Sequence, residues 1–502
     1  MRRAAPLALA LAVLGAGCQS PKGSCDVDTA CGAHERCDQG VCVRVPDLGG
    51  NGSGGGTLPA SFTPVVWSTL ETAAGASFSA DSVGADAASG DVFVAGALAG
   101  AFDPWALSTG GFAARLGGGN GALAWPVPVP FPTFSHGALR TAVAPDGGLL
   151  FAGTAYDPTF VGTDVFAPPP MGSLVFGLLD PSGNPVWARA VDDTHATLPL
   201  APVSLASRGG DLLLAGTGSG DFGCGDTAGA TFAARLAWAD GTCLWSRGLG
   251  TSTVTDLEPR DAGDVALAGL CTPTGAFFDP GGGSTCTQGF FLAVLDGATG
   301  STLSSRTSSG AGRVTAVRDL AVAPSGGLAV IGDATGAVSF GGATVDFGAA
   351  EGSFAAIYGA TGYGAIGAPG LVVRPIEAPY APIADAASFA RGAYDRKGKL
   401  WIAGRSYGQP TLGGVLFPPC RAPDCAIASF LARIEADGRV GSFLPIRVAP
   451  VGQDLAAFVD DFVLFATTGT LAHAFRFTGA ATVGTSSWST ADAGLGVLRV
   501  VP

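Results

Sequence analysis

The stretch VFVAGA at Val92–Ala97 returns as LLFAGT at Leu149–Thr154, LLLAGT at Leu212–Thr217, VALAGL at Val265–Leu270, LAVIGD at Leu328–Asp333, LWIAGR at Leu400–Arg405 and FVLFAT at Phe462–Thr467. The mean spacing, about 62 residues, is enough for one small sheet per copy. Each copy is a short apolar run, and tight-turn signals precede several of them: ASGD at Ala88, PDGG at Pro145, RGGD at Arg208 and PSGG at Pro324. The phrase is therefore read as one strand, b, of a repeated unit.

Working outward, a second recurring strand, c, reads GGFAARL at Gly110, SLVFGLL at Ser173, TFAARLA at Thr231, GFFLAVL at Gly289, SFAAIYG at Ser353, SFLARIE at Ser429 and AHAFRFT at Ala472. Another tight turn follows it, as in PSGN at Pro181, ADG at Ala239 and GATG at Gly297. A strand d then carries tryptophan in LAWPV at Leu123, PVWAR at Pro185 and CLWSR at Cys243, and a strand a, such as RDLAVA at Arg318, leads back into b. Four short strands per unit, with no helical periodicity between them, predict an all-β chain of radially repeated small sheets, a β-propeller over residues 61–502. Seven four-stranded blades follow from the seven copies, with eight left open. PVVWSTL at Pro64 and SSWST at Ser486 compete to supply the strand that closes the ring, since closure removes exposed sheet edges.

The wording resembles the bacterial seven-bladed β-propeller repeat family, in which a glycine-ending strand, an FDFGG-like insertion, a second strand and a tryptophan strand recur. The insertion echoes here are AFDP at Ala101, DFGCG at Asp221, FFDP at Phe277 and SFGG at Ser339. Arginine stands where that family has lysine in strand c, at Arg115, Arg235 and Arg433, and the seventh copy lacks both the glycine and the insertion.

Arg2 and Arg3, the apolar run Leu7–Leu14 and the small residues Gly15–Gly17 make a secretory signal over 1–17, too short to span a bilayer. Cys18 follows at once, which resembles the lipobox of bacterial lipoproteins, although Gly15 stands where leucine is usual. The resemblance implies acylation of Cys18, a lipid-anchored N-terminus over 18–24 and, with Gln19 next in line, delivery to the outer membrane. Of eleven cysteines, Cys18 aside, ten remain to pair. Cys25, Cys31, Cys37 and Cys42 form a small module over 25–44 whose connectivity is open, and the local partners elsewhere are Cys224 with Cys243, Cys271 with Cys286, and Cys420 with Cys425. The spacing in the small module resembles Cys-rich segments near the N-terminus of bacterial surface lipoproteins. Zinc is disfavoured because the C-x-x-C knuckle is absent. A Gly-rich linker over 45–60, with GGNGSGGG at Gly49–Gly56, behaves as a tether.

Forty acidic residues against 27 basic ones give a formal charge of −13, with Lys22, Lys397 and Lys399 the only lysines. Such a surface repels phosphate backbones and anionic headgroups, so nucleic acid is excluded as a partner and the membrane is reached only through the lipid.

Chain direction puts the b–c and d–a connections on one face and the short, uniform a–b and c–d turns on the other. The b–c segments are long, at 98–109, 155–171, 218–229, 271–287, 334–351 and 406–427, and each proposed propeller disulfide involves one of them. Long braced loops on a rigid scaffold are where recognition resides. The binding-face candidates are Trp105, Tyr156, Asp157, Asp164 and Tyr407 from b–c segments, with His136, Asp192, Asp193, His195 and Tyr380 from d–a segments. The recurring Phe102, Phe160, Phe222, Phe278 and Phe340, and the tryptophans Trp125, Trp187 and Trp245, read as blade packing.

No Gly-x-Ser-x-Gly elbow, HExxH helix or EF-hand loop occurs. ADGTCLW at Ala239 lacks the sialidase Asp-box spacing, and no two cysteines are adjacent as in quinone-dependent dehydrogenases. The expectation is a non-catalytic, monomeric propeller on the envelope, without cofactor or metal, that binds a protein or glycan. Two alternatives stay open. One is a periplasmic scaffold that resembles the quinoprotein-like lipoprotein assisting outer-membrane barrel assembly; the other is a loop-built hydrolase or lyase using His136 or His195.

Overall fold

The structure, a computed structural model, describes two short strands within 35–44 and most of 65–500. Outside the described residues lie 72–76, 102–108, 126–128, 132–138, 193–199, 272–288, 377–385, 417–426, 450–458, 467–470 and a few shorter connections. The signal segment, Cys18, Cys25, Cys31, the Gly-rich linker, Cys286, Cys420 and Cys425 therefore fall outside them. Two compact units are present, 1–55 and 56–502. In the first, Glu35–Asp38 pairs antiparallel with Val41–Arg44, which sets Cys37 opposite Cys42.

The described residues of the second unit are all β, in seven antiparallel blades of four strands; five blades are separate sheets, and blades 6 and 7 join into one eight-stranded sheet where Ile446–Ala449 pairs with Ala480–Val483. From the innermost strand outward, blade 1 is Ser77–Ala85, Val92–Ala99, Gly110–Leu116 and Val129–Phe131. Blade 2 is Arg140–Val143, Leu149–Ala155, Ser173–Leu179 and Pro185–Asp192. Blade 3 is Ala201–Arg208, Asp211–Thr217, Thr231–Ala237 and Cys243–Gly248. Blade 4 is Thr253–Pro259, Val265–Cys271, Gly289–Leu295 and Thr302–Thr307. Blade 5 is Arg313–Val322, Leu328–Thr335, Gly352–Tyr358 and Pro369–Val373. Blade 6 is Ala386–Tyr394, Leu400–Tyr407, Ile427–Ile434 and Val440–Ala449. Blade 7 is Val459–Ala466, Leu471–Val483, Ser486–Val500 and, as its outer strand, Val65–Glu71. Each innermost strand packs on that of the next blade, and blade 7's packs on blade 1's, so the ring closes.

Closure thus falls to the Pro64 candidate, since Val65–Glu71 pairs with Leu495–Val500, while SSWST forms the start of the third strand of blade 7. Two further sequence expectations are corrected. The seventh copy of the phrase is not strand b: it forms the innermost strand of blade 7, and AHAFRFT at Ala472 is the second strand rather than the third. In blade 1 the outer strand is Val129–Phe131, and LAWPV contributes only an isolated bridge, Leu116 with Leu123.

The phrase is apolar without alternation because strand b is buried on both faces. Val92 and Val94 pack with Ala472, Ala474, Leu495 and Val497 of blade 7, whereas Phe93 and Ala95 face Leu149, Phe151 and Val175 of blade 2. The phrase glycine has its own cause. Opposite it, strand a bulges, with register shifts at Ala80/Ser82, Pro202/Ser204, Val254/Asp256, Val317/Asp319 and Phe389/Arg391. The bulge pushes a carbonyl against the glycine: a Cβ would lie 1.9 Å from Ser79 O at Gly96, 2.3 Å from Ala201 O at Gly216, 2.1 Å from Thr253 O at Gly269, 2.2 Å from Ala316 O at Gly332 and 2.2 Å from Ser388 O at Gly404. The seventh copy lacks the glycine for the same reason. As an innermost strand, Val459–Ala466 pairs on one edge only and meets no bulged neighbour.

A second repeated device joins blade to blade. Trp125 Nε1 and Arg115 Nη1 both donate to Pro181 O in the c–d turn of blade 2, at 2.9 and 2.7 Å. Trp187 Nε1 donates to Trp238 O at 2.9 Å, and Trp245 Nε1 to Gly297 O at 3.0 Å, where Arg235 also donates. Beneath each indole sits a turn glycine with positive φ, Gly183 (88°), Gly241 (69°) or Gly300 (68°), where a side chain would be both strained and obstructed. Arg499 of blade 7 donates to Gly118 O of blade 1, so the same type of clip fastens the closing blade.

Candidate functional site

The connections on the b–c and d–a face grow small structures of their own. In blade 2, Thr159–Val161 pairs with Asp164–Phe166. In blade 5 the hairpin Ala337–Ser339 with Thr344–Asp346 receives Ser309–Gly310 from the preceding d–a connection. Blade 6 repeats that arrangement, with Thr411–Leu412 and Val415–Leu416 receiving Pro375–Ile376. Each d–a connection of this kind is thereby stitched to the blade it enters. Cys224 and Cys243 form a disulfide, Cα to Cα 5.7 Å, that fixes the blade 3 segment to its outer strand. Cys271 is also disulfide-bonded.

Four binding-face candidates lie at one end of blade 2. Tyr156 is 43% exposed and packs beside Gly172; Asp157 and Asp164 are exposed; Asp192 accepts a 2.5 Å hydrogen bond from Ser173 Oγ. Tyr407 ends the second strand of blade 6. Trp105, His136, Asp193, His195 and Tyr380 lie outside the described residues. Among the packing residues, Phe222 and Phe340 are buried, with ring centroids 4.9 Å from Phe232 and 4.7 Å from Phe354.

A second candidate, missed by the sequence reading, lies on the axis. A cavity of about 600 Å³ is lined by the innermost strands of blades 1 to 6. Where strand a faces the residue before the phrase glycine, the six blades contribute Ser82, Arg140, Ser204, Asp256, Asp319 and Arg391. These side chains bolt neighbouring blades. Ser82 Oγ donates to Thr141 O (3.2 Å), Arg140 Nε to Val203 O (2.8 Å) and Ser204 Oγ to Asp256 Oδ1 (2.6 Å). Asp256 Oδ2 accepts Leu320 N (3.1 Å), Asp319 Oδ2 accepts Gly392 N (2.6 Å), and Arg391 Nη1 donates to Arg318 O (2.7 Å).

Two residues further along strand a, the paired positions are Gly84, Ala142, Ala206, Ala321 and Ala393, but Glu258 in blade 4. Among blades 1 to 6 Glu258 is thus the single acid at a tier of otherwise minimal side chains, with Phe465 of blade 7 in the same register, and it lines the cavity with Gly84, Ala142 and Ala206. Glu258 and Asp319 lie deep in the molecule yet keep part of their surface open to the cavity. Burial pushes the Glu258 carboxyl well above the ordinary range, and the negative Asp256 and Asp319 push it the same way. Asp319 is also raised well above it, by burial first; Arg391 opposes the shift, while Asp256, with which it shares a hydrogen bond, adds to it. Burial lowers the Arg140 pKa from its ordinary value, against the pull of Asp81 and Asp256.

This tier left a trace in the sequence: a charge inside a strand that is otherwise apolar or small, as in TDLEP at Thr253 and RDLAV at Arg318. Among the described residues no group of three or more His, Cys, Asp or Glu side chains is arranged to hold a metal ion.

No protein-family model and no curated protein matches the sequence. Solved structures similar to the chain include the Pan2 WD40 domain from Neurospora crassa, 11% identical, with 88% of this chain and 95% of that one covered at a TM-score of 0.40. A quinohemoprotein alcohol dehydrogenase from Pseudomonas putida HK5 is 9% identical, covering 87% and 76% at 0.43. BamB from Moraxella catarrhalis is 11% identical, covering 87% and 99% at 0.38. The β-propeller architecture rests on the strand pairing and ring closure of the chain itself.

Proposed function

We propose that the chain is an exported, lipid-anchored, non-catalytic propeller that binds a protein or glycan partner through the face carrying its long connections. The observation that supports this reading is the inequality of the two faces. On one, the a–b and c–d turns repeat the same tight hydrogen-bonded geometry from blade to blade, as at Ala144–Gly148, Asp180–Asn184 and Ala323–Gly327. On the other, the connections are long and unequal in sequence, and among the described residues those of blades 2, 3, 5 and 6 are braced by satellite strands or the Cys224–Cys243 disulfide. Uniform turns serve assembly of the ring, whereas variable, braced segments form surfaces that can recognise a specific partner.

The experiment replaces 336–348 and 409–418 with short glycine-containing turns and compares partner recovery from native membranes with that of the unaltered chain. Loss of one defined partner, with the unfolding midpoint retained, supports the reading; identical recovery by the shortened chain refutes it. Replacement of Cys18 by serine tests the anchor separately, since incorporation of labelled fatty acid should disappear.

A further inference from the structure

We propose that the axial cavity is a binding site for an organic cation carrying a primary ammonium group, with the Glu258 carboxylate as its counter-ion and the space above Gly84, Ala142 and Ala206 as room for its carbon chain. The first argument is the distribution of partners. Asp256 accepts from Ser204, Leu257 N and Leu320 N, and Asp319 accepts from Gly392 N and lies beside Arg391. Arg140 donates to Val203 O and Leu139 O, Arg391 to Arg318 O and Ala390 O, and Arg318 pairs with Asp333 at 2.5 Å. Those groups are committed to holding blades together. Glu258 has no hydrogen bond or ion pair among the described residues, although it is deep in the molecule and lines the cavity. A carboxyl group without a partner at such a site is costly unless something else satisfies it.

The second argument is the register. At the tier of Glu258, blades 1, 2, 3, 5 and 6 present glycine or alanine and blade 7 places Phe465 in register, so no other blade repeats the acid, and the small residues Gly84, Ala142 and Ala206 leave space beside it. Charge sets the sign of the ligand. Around the cavity, Asp81, Asp256, Glu258, Asp319 and the adjoining Asp333 face Arg140, Arg318 and Arg391, an excess of carboxyl groups with every guanidinium already engaged. An anion would find no free donor; an ammonium group finds a free acceptor.

The site is also coupled to protons. The groups facing Glu258 are Asp256 on its own strand, Asp319 and Arg318 on blade 5, Arg391 on blade 6, and Arg140 and Asp81 on blades 2 and 1; the innermost strand of blade 7 carries Asp460 and Asp461. Burial and the two neighbouring carboxyl groups favour the protonated acid in the empty cavity. Binding an ammonium ion reverses that preference: the carboxylic acid releases its proton to the buffer, and the carboxylate and ammonium form the ion pair.

The test is titration calorimetry of the full chain with n-butylammonium chloride in two buffers of different ionisation enthalpy, with sodium butyrate as the opposite-charge control. The expected result is saturable binding of the amine with proton release, no binding of butyrate, and at least tenfold weaker amine binding without proton release in Glu258→Gln. Absence of saturable amine binding, equal binding of butyrate, or an affinity within twofold of wild type in Glu258→Gln would overturn the proposal. Proton release is read from the unaltered chain, so the test survives a variant that folds poorly. Loop shortening on the connection face should leave amine binding intact.

Discussion

Replacing Gly96 by alanine tests the central packing argument. The new methyl carbon would stand 1.9 Å from Ser79 O, 2.9 Å from Ser79 C and 3.3 Å from Ala80 Cα, whereas Cβ contacts under 3.0 Å are essentially never seen. The obstacle is backbone, so no rotamer relieves it, and the inner strand must retreat by about 1 Å. A retreat of that size abolishes the ladder bonds around the Ser79–Ala97 and Ala80–Gly96 pairs. Two lost hydrogen bonds at about 1 kcal/mol each, with overpacking of about 1–3 kcal/mol, give a loss of roughly 3–5 kcal/mol. The control is Gly119→Ala, where nothing lies within 4 Å, and its expected change is within about 0.5 kcal/mol. Equilibrium urea unfolding followed by fluorescence and far-ultraviolet circular dichroism measures both. If Gly96→Ala unfolds within 0.5 kcal/mol of Gly119→Ala, a flag roughly equal to the scatter of surface substitutions, the bulge does not dictate the glycine and the reasoning fails.

Three other outcomes are expected. Trp245→Phe keeps a ring over Gly300 but removes the donor to Gly297 O, for a loss of about 1 kcal/mol, whereas Trp245→Ala should cost about 3–5 kcal/mol; equal losses in urea melts would show that the hydrogen bond contributes nothing. Deleting 61–71 leaves blade 7 with three strands and an open edge, so light scattering should show more self-association than for the full chain. Glu258 binds its proton more tightly folded than unfolded, so between about pH 4.3 and its raised folded pKa the native state holds more protons and stability falls as pH rises. Glu258→Gln removes that contribution, and thermal melts across this window should show a flatter profile; parallel profiles would contradict the assignment.

The ring was legible in the sequence because a strand buried on both faces leaves a continuous apolar run, and the bulge opposite it demands glycine at a fixed place. The tryptophans were legible as scaffold for a similar reason, since each clips the turn of the next blade. Register was less visible. FVLFAT at Phe462 has the apolar character of the phrase but forms an innermost strand, while the second strand of blade 7, Leu471–Val483, carries Phe475 rather than glycine in the corresponding register. The axial residues escaped because they come from strands about 60 residues apart, and a charge such as Asp256 or Arg391 gains meaning only once the strands converge. Glu258 needed more still: it stands out only when Gly84, Ala142 and Ala206 are known to occupy the same tier.

The pairing of Val65 with Val500 also governs how the molecule reaches its native state. These residues lie at opposite ends of the propeller segment, and joining them from an unstructured chain carries a loop-closure penalty of roughly 5 kcal/mol beyond a constant. Blades 1 to 6 each form from sequence neighbours, and as they assemble they shorten the span still to be closed. The outer strand of blade 7 is consequently expected to be the last to find its partner, with ring closure the slow, late step in a refolding time course. Until it occurs, the newly made chain presents two unpaired sheet edges, and the interval before closure is when it is most exposed to aggregation or to exchange of that strand with another copy.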